Sequence, residues 1–381
     1  MKIAYVVSGY APQLGGAELY TQGVAERLAK RGHDVSVITS RPAGYAHFEE
    51  INGIKVYRLR GTRLLFGKMA LYPELRATIG KIMPDALHCI GHGHLYSIGA
   101  AGAASKLGIP LFMHTYGPLS AHTQRGILEK ALCGIYDCIV TPRLFRNAKA
   151  VLYRTPGSGE WCISKGAKKA LLGTTGIDET FFAKTKNKNR GRSSKVVGFV
   201  GTICRRKGVQ SLVDAAPEVI KRHMGAEFVI VGSGNAETDK NFEAELRERV
   251  REHGISGAFK FMEPIMPDSP ENKKKIARLF DSFDVFVLPS EFEAPAQAML
   301  QAMARGKPVV VAGIPMLRGI VGDENALFIN PGDSGMLAEK ISALLADSAL
   351  RKRMGEANIK AAGKFSLERI AAELEKVYGG F

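Results

Sequence analysis

An alternation constrains the fold of this chain more than any other feature. Short apolar runs that read as β-strands are separated by stretches whose apolar residues recur at helical spacing. The pattern runs through the first half, breaks, and starts again. In the first half, strands are expected at 2–8 (KIAYVVS), 34–40 (DVSVITS), 54–60 (IKVYRLR), 86–91 (ALHCIG), 110–117 (PLFMHTYG) and 150–156 (AVLYRTP), with helices at 17–32 and 97–107. Residues 183–195, AKTKNKNRGRSSK, then hold six Lys or Arg, no acid and no bulky apolar side chain. That composition reads as a solvated linker. Beyond it, strands return at 195–201, 228–232, 259–263 and 285–289, with helices between them. Such alternation implies parallel sheets with helices on both faces. The expectation is an α/β protein of two doubly wound domains, 1–182 and 196–365, joined by the linker 183–195. A last amphipathic helix within 366–381 must cover apolar surface somewhere.

At 381 residues the chain exceeds one ordinary core and suits two domains of roughly 150–200 residues each. No apolar run is long enough to span a bilayer. The opening MKIAYVVSGYAP is too short in its apolar part for a signal peptide, so a cytoplasmic protein is expected. Five cysteines without a C-x-x-C pair argue against a disulfide framework or a metal site. The net charge of +16 fits a nucleic acid, an anionic membrane surface, or simply a basic enzyme. No zinc spacing, RNP-like aromatic motif or basic heptad helix is present, so a nucleic-acid partner is not expected. The basic stretch around RLLFGK, with Arg58, Arg60, Arg63 and Lys68, is either a membrane-facing surface or a solvated face.

Four segments stand at the carboxyl ends of expected strands, where open α/β sheets bind ligands. GYAPQLGGAE puts Gly15 and Gly16 at a helix start, where amides can approach phosphate closely. Glu18 reads as a first-turn residue of that helix. GFVGTICRRKG puts Arg205, Arg206 and Lys207 in one loop, a triple cation suited to a diphosphate or merely a solvated basic turn. His114 and Tyr116 are two apart on a strand and share a face, in either a core or a functional role. In SEFEAPAQAMLQAMARGKPVV, residues 290–310, Glu293 stands just before a helix, Pro295 suits its first turn, and Gln301 follows eight residues after Glu293. A carboxylate beside an anion-binding helix end suits a ligand that carries hydroxyls as well as phosphate. A sugar nucleotide has both.

Taken in order, these segments resemble the retaining glycosyltransferases of family 4, which have the GT-B fold of two Rossmann-like domains facing across a cleft. The resemblance covers essentially the whole chain. PQLGGAELYTQGVAERLAKRGHDVSVIT is similar to the family's opening loop and first helix, and PDALHCIG to its mid-domain strand. TTGIDETFF resembles the turn before the linker, VGTICRRKG the phosphate-binding loop, FVIVGSG the glycine strand, and EAPAQAMLQAMARGKPVV the Glu-x7-Glu segment. NPGD and the closing FSLERIAAELEKVY also fit.

The resemblance implies a nucleotide-diphosphate sugar donor, UDP- or GDP-linked, on the C-terminal domain and an acceptor on the N-terminal one. It implies that Lys207 and a neighbouring Arg hold the diphosphate, that Glu293 bonds the donor sugar, and that Gln301 bonds the ribose. Phe261 and Glu263 would flank the base, amides near Ala296 and Gln297 would meet the phosphates, and the last helix would cross back onto the N-terminal domain. Three single positions and one three-residue segment depart from the family. Gln301 replaces the second Glu and is a weaker acceptor for a hydroxyl. Thr202 stands where an Arg usually follows the phosphate-loop Gly, with Arg206 four residues on. Tyr116 falls on the family's cleft His, with His114 nearby. Ala294–Pro295–Ala296 replaces Gly–Phe–Gly. The mechanism expected is metal-independent front-face transfer, since cations can stabilise the departing diphosphate and no Asp-x-Asp pair is present. No cofactor is then needed beyond the donor substrate. The acceptor is expected to be a sugar, a polysaccharide or a lipid-linked molecule. A degenerate GT-B module that binds without catalysis is the alternative. A nicotinamide dehydrogenase is excluded because neither first-strand loop gives G-x-G-x-x-G.

Overall fold

The computed structural model describes the chain except residues 13–14, 65–68, 122–125, 155–156, 174, 184–194, 235–240, 294–295 and 381. The chain divides into two compact units, Met1–Gly176 with Leu367–Phe381, and Ile177–Ser366.

The first unit is built on strands β1 (Lys2–Val6), β2 (Asp34–Ser40), β3 (Phe48–Ile51), β4 (Ile54–Leu59), β7 (Ala86–Ile90), β8 (Leu111–Thr115), β9 (Ala150–Tyr153) and β10 (Ala170–Leu172), with β5 (Thr62–Leu64) and β6 (Met69–Leu71) forming a separate hairpin. The main sheet runs β10-β9-β8-β7-β1-β2-β4-β3. Every pair is parallel except β3 with β4 at the edge. The parallel strands are buried on both faces, which is why they read as continuous apolar runs. Because side chains alternate along a strand, Ala4 and Val6 enter one core with Leu87, Met113 and Val151. Ile3 and Tyr5 enter the other core, with Phe112 and Leu152.

The helix Leu367–Gly379 packs in that second core, although it follows the whole other unit in sequence. Leu367, Ile370 and Leu374 are buried there, each worth about 1.5–3 kcal/mol relative to an exposed side chain. Gly23 and Gly176 make room for Leu367, since a Cβ on either would stand 2.5 or 2.0 Å from its methyl carbons. At the far end of the helix, the Tyr378 hydroxyl meets the Tyr5 hydroxyl at 2.9 Å and His88 Nδ1 at 2.5 Å.

The second unit holds β11 (Lys195–Val200), β12 (Ala226–Val231), β13 (Phe259–Met262), β14 (Val285–Leu288), β15 (Val309–Ala312) and β16 (Ala326–Ile329). Their order, β13-β12-β11-β14-β15-β16, is parallel throughout. This is the doubly wound order of a dinucleotide-binding fold, with the reversal between β11 and β14.

Two expectations need correction. The sequence places 177–182 with the first domain, but Ile177 and Phe181 are buried in the second unit's core. Asp178 caps the short turn by accepting from Thr180 N at 3.0 Å, and Lys273 Nζ lies 2.9 Å from its other oxygen. Arg58, read as part of a basic surface, is buried, pairs with Glu49 and donates to the Ala11 carbonyl. Alternation along β4 puts it on the same face as the buried Ile54 and Val56, where Glu49 of β3 and the Ala11 carbonyl supply its partners. Arg60 is exposed, while the side chains of Arg63 and Lys68 lie outside the described residues. So does the linker, apart from Ala183 and from Lys195, which opens β11.

Candidate active site

In the second unit, two loops leave the sheet at its reversal point. The first follows β11 and runs through the short turn Arg205–Lys207 into the helix Val209–Arg222. The second follows β14 and leads to the helix Gln297–Ala304. They touch backbone to backbone at Gly208, where φ is +68° and a Cβ would stand 2.1 Å from the Pro289 carbonyl oxygen. Glycine alone fits both demands. A second close approach holds the first loop from the other side: a Cβ at Gly232 would stand 1.9 Å from the Gly201 carbonyl oxygen. The Ile203 amide donates to the Ser233 carbonyl at 2.9 Å.

This clamp brings Lys207 and Glu293 together. Lys207 Nζ donates to Glu293 Oε1 at 2.6 Å, and Ser290 Oγ donates to the same oxygen at 2.6 Å. Glu293 is only 2% exposed, whereas Lys207 keeps a modest opening to solvent. Arg206 ties the loops from outside: its carbonyl accepts from the Glu291 amide at 3.0 Å, and its guanidinium donates to the Phe292 carbonyl at 2.8 Å. Arg205 turns away to Glu245. The triple cation is therefore three residues with three positions, and Lys207 is the one that meets the buried carboxylate.

Ala296 caps the helix Gln297–Ala304 without a side-chain acceptor, so the first-turn amides have no capping side chain. Gln301 is half-buried one turn further along. Ala294 and Pro295 lie outside the described residues. Thr202 is exposed in the first loop. Phe261 and Glu263 sit at the carboxyl end of β13, on the side of β11 away from Glu293. Phe261 is covered by the Arg247 guanidinium at 4.3 Å, and Glu263 is exposed.

In the first unit the Gly-rich loop is tied to Glu18, which stands in the first turn of its helix as the sequence suggests. Glu18 Oε2 accepts from the Gly15 amide at 3.1 Å, and Glu18 Oε1 accepts from Ser8 Oγ at 3.3 Å. The start of the helix Gly16–Lys30 thus carries its own carboxylate beside the Gly15 amide. His114 is fully buried in β8, and its Nε2 accepts from Arg154 Nε at 2.9 Å. Burial, reinforced by the Arg154 cation and by His88, holds the His114 pKa well below the usual imidazole value. It is a neutral imidazole whose proton must sit on Nδ1. Tyr116 lies just past the strand, half-buried, its ring 6.4 Å from that of His114 and 5.0 Å from the Arg154 guanidinium carbon.

Sequence reasoning missed Ser290 and Arg154. The signal for Ser290 was its spacing three residues before Glu293. For Arg154 it was a charge closing the apolar run AVLY. Among the described residues, no group of three or more His, Cys, Asp or Glu is placed to hold a metal ion.

Comparison with known proteins gives these features a common origin. Residues 15–172 match the family model described as a glycosyl transferase 4-like domain, and residues 194–347 match that of the group 1 glycosyl transferases. Spore coat protein SA of Bacillus subtilis is 31% identical over 407 residues, with 99% of each chain covered. An uncharacterized glycosyltransferase of Methanocaldococcus jannaschii is 26% identical over 416 residues, covering 99% of this chain and 98% of its own. The solved structure of Anabaena HepE in complex with UDP superposes with a TM-score of 0.80 at 20% identity, covering 100% of both chains. Two doubly wound units with these matches make the protein a glycosyltransferase of the GT-B fold. Within that class, the chain belongs to the family 4 glycosyltransferases.

Proposed function

We propose that this protein transfers a sugar, with retention of anomeric configuration, from a UDP- or GDP-linked donor bound by the second unit to an acceptor bound by the first. The pairing of Lys207 with the buried Glu293 at the reversal point of the second sheet carries this reading. The cation suits the diphosphate, and the carboxylate suits sugar hydroxyls. In the resting protein each neutralises the other. On donor binding Lys207 turns to the diphosphate and Glu293 accepts from the sugar. The similarity to a structure that contains UDP supports a nucleotide donor. Keeping both partners in one hydrogen-bonded pair favours an active enzyme over a degenerate binding module.

Cleavage of the bond between the anomeric carbon and the diphosphate oxygen puts negative charge on the leaving group. Lys207, Arg206 and the uncapped amides at Gln297 stabilise it electrostatically, a role that needs no metal. The acceptor hydroxyl attacks from the same face, and its proton passes to the departing phosphate oxygen. Phe261 and Glu263 flank the base, and Gln301 accepts from the ribose. Thermal-shift and hydrolysis measurements against UDP-, GDP- and ADP-sugars test the donor. Stabilisation by none of them sinks the reading. An inverted product overturns retention, and a trapped sugar–enzyme adduct overturns front-face attack.

The acceptor is proposed to be reached at an anionic membrane surface. The helix Gly126–Ile139 turns its apolar residues outward: Leu128, Leu132, Ile135 and Ile139 follow helical spacing along one face and are all exposed, Leu128 by 70%. Its acids Glu129 and Asp137 are buried instead, leaving Lys130 as the exposed charge on the helix. An outward apolar face with a cation beside it suits an interfacial helix. No described helix is long and apolar enough to cross a membrane.

A further inference from the structure

Among the described residues, the first unit contains a buried guanidinium with no acid paired to it. Arg154 follows β9 and is 5% exposed. Among the described residues no Asp or Glu pairs with it. Its neighbours are neutral: Nε donates to His114 Nε2, the Tyr20 ring lies 4.2 Å from the guanidinium carbon on one side, and the Tyr116 ring lies 5.0 Å away. Nη2 is buried without a hydrogen-bond partner. Buried cations are ordinarily paired, because desolvation is costly and aromatic faces offset only part of it. Every other buried guanidinium described here has oxygen partners: Arg58 has Glu49 and the Ala11 carbonyl, and Arg27 donates to the Gly23 carbonyl at 2.8 Å.

Position adds to the oddity. Arg154 and Tyr116 stand at the carboxyl ends of adjacent parallel strands, β9 and β8, on the edge of the sheet where α/β units bind ligands. The buried Tyr20 ring forms the inner wall and the half-buried Tyr116 ring the outer one. His114 is kept neutral and in one tautomer, so it orients the guanidinium without adding a second positive charge.

We infer that Arg154, flanked by Tyr20 and Tyr116 and oriented by His114, is the subsite for an anionic group, a phosphate or a carboxylate, on the acceptor. The planar fork of Arg matches either group in a bidentate way. Tyr116 swings aside as the anion arrives. The inference rests on the glycosyltransferase reading only in calling the ligand an acceptor. Anion binding itself stands apart from it.

Calorimetric titration of the full chain with inorganic phosphate, glucose 6-phosphate, glucuronate and glucose tests this, alongside Arg154→Gln and Arg154→Lys. Wild type should bind the best anionic sugar roughly tenfold or more tighter than glucose. Arg154→Gln should erase that difference, and Arg154→Lys, which keeps the charge but not the fork, should keep part of it. Polyprenyl phosphate in detergent micelles separates the sources: tighter, Arg154-dependent binding than glucose 6-phosphate puts the anion on a lipid, and weaker binding puts it on a soluble sugar. Anions that bind no better than glucose, or equally well to Arg154→Gln, overturn the inference. Should Arg154→Gln fail to fold, an Arg154→Lys variant with unchanged anion affinity overturns it as well. The thermal shift with UDP serves as the independent readout. If UDP stabilises no version, the donor reading fails while an Arg154-dependent anion affinity still stands.

Discussion

Lys207 Nζ lies 2.6 Å from Glu293 Oε1, and that oxygen is shared with Ser290 Oγ. The arrangement makes the two charges interdependent. Removing Lys207 leaves a carboxylate that is buried with one hydroxyl donor, and a charged group left short of partners costs more than the net worth of the bond. Lys207→Met should lower stability by about 1–3 kcal/mol, less than a sealed pair because Lys207 retains some water. Adding Glu293→Gln removes the orphaned charge and should restore most of the loss. Turnover should stay down on the order of 10²–10³-fold in both variants, because the cation that meets the leaving group is gone. Urea melts beside donor-turnover rates check this. Full recovery of activity in the double variant would remove the pair from the mechanism.

His88 gives a pH prediction with a defined sign. It is fully buried, and burial pushes its pKa down to about 3, with the Arg154 cation adding to the effect. The unfolded chain protonates it near its ordinary value of about 6.5. Below that value the unfolded state binds the extra proton and the folded state does not, so stability is complete above about pH 6.5 and falls as pH drops toward 3. One such histidine contributes a slope of about 1.4 kcal/mol per pH unit in that window. His88→Asn keeps a polar partner for the Tyr378 hydroxyl and does not titrate, so its stability should fall less steeply between pH 6 and pH 4 than that of wild type. Equal slopes in denaturant melts would show that His88 is protonated in the fold.

The doubly wound architecture was legible because parallel strands covered on both faces leave unbroken apolar runs such as VFVL and KIAYV, and helices leave a 3.6 period. Lys207 and Glu293 were legible singly. Their contact was not, because 86 residues separate them and only the order β11-β14 brings their loops together. The bond from the Gly15 amide to Glu18 was not legible in the sequence, because a capping carboxylate and an anion site begin with the same glycine-rich turn. The helix Gly126–Ile139 went unread because its pattern is inverted, with acids inside and Leu and Ile outside. Periodicity reports a face but not the direction in which it points.

That inverted helix makes a surface prediction. Leu128 and Ile135 are exposed, so replacing either with Glu removes no packing and should change stability by no more than about 0.5 kcal/mol. On a membrane the same changes put a carboxylate against anionic headgroups. Leu128→Glu/Ile135→Glu should co-sediment with phosphatidylglycerol vesicles far less than wild type at low salt, with an unchanged melting curve. Equal co-sedimentation would move the contact elsewhere, and a lowered melting temperature would mean that the helix face is covered in solution.

Gly208 is where the site depends on backbone geometry alone. Its φ of +68° disfavours any residue with a Cβ, and its neighbour across the loop is a carbonyl oxygen rather than a side chain that can turn away. Gly208→Ala must therefore push the loop after β14 outward or rotate the turn that carries Lys207. Either movement lengthens the 2.6 Å bond to Glu293, whose partner Ser290 directly follows Pro289. The expected cost is about 1–3 kcal/mol of stability. Activity should fall by about a further order of magnitude beyond what the unfolded fraction explains, since displacements of about 1 Å in a charge-stabilising site cost that much or more. Gly225→Ala is the control: it has a similar φ of +82° but nothing within 4 Å of the added carbon. It should lose stability by the left-handed backbone term alone and keep its turnover per folded molecule. Matching losses of turnover in the two variants would mean that the clamp at Pro289 does not set the geometry of the Lys207–Glu293 pair.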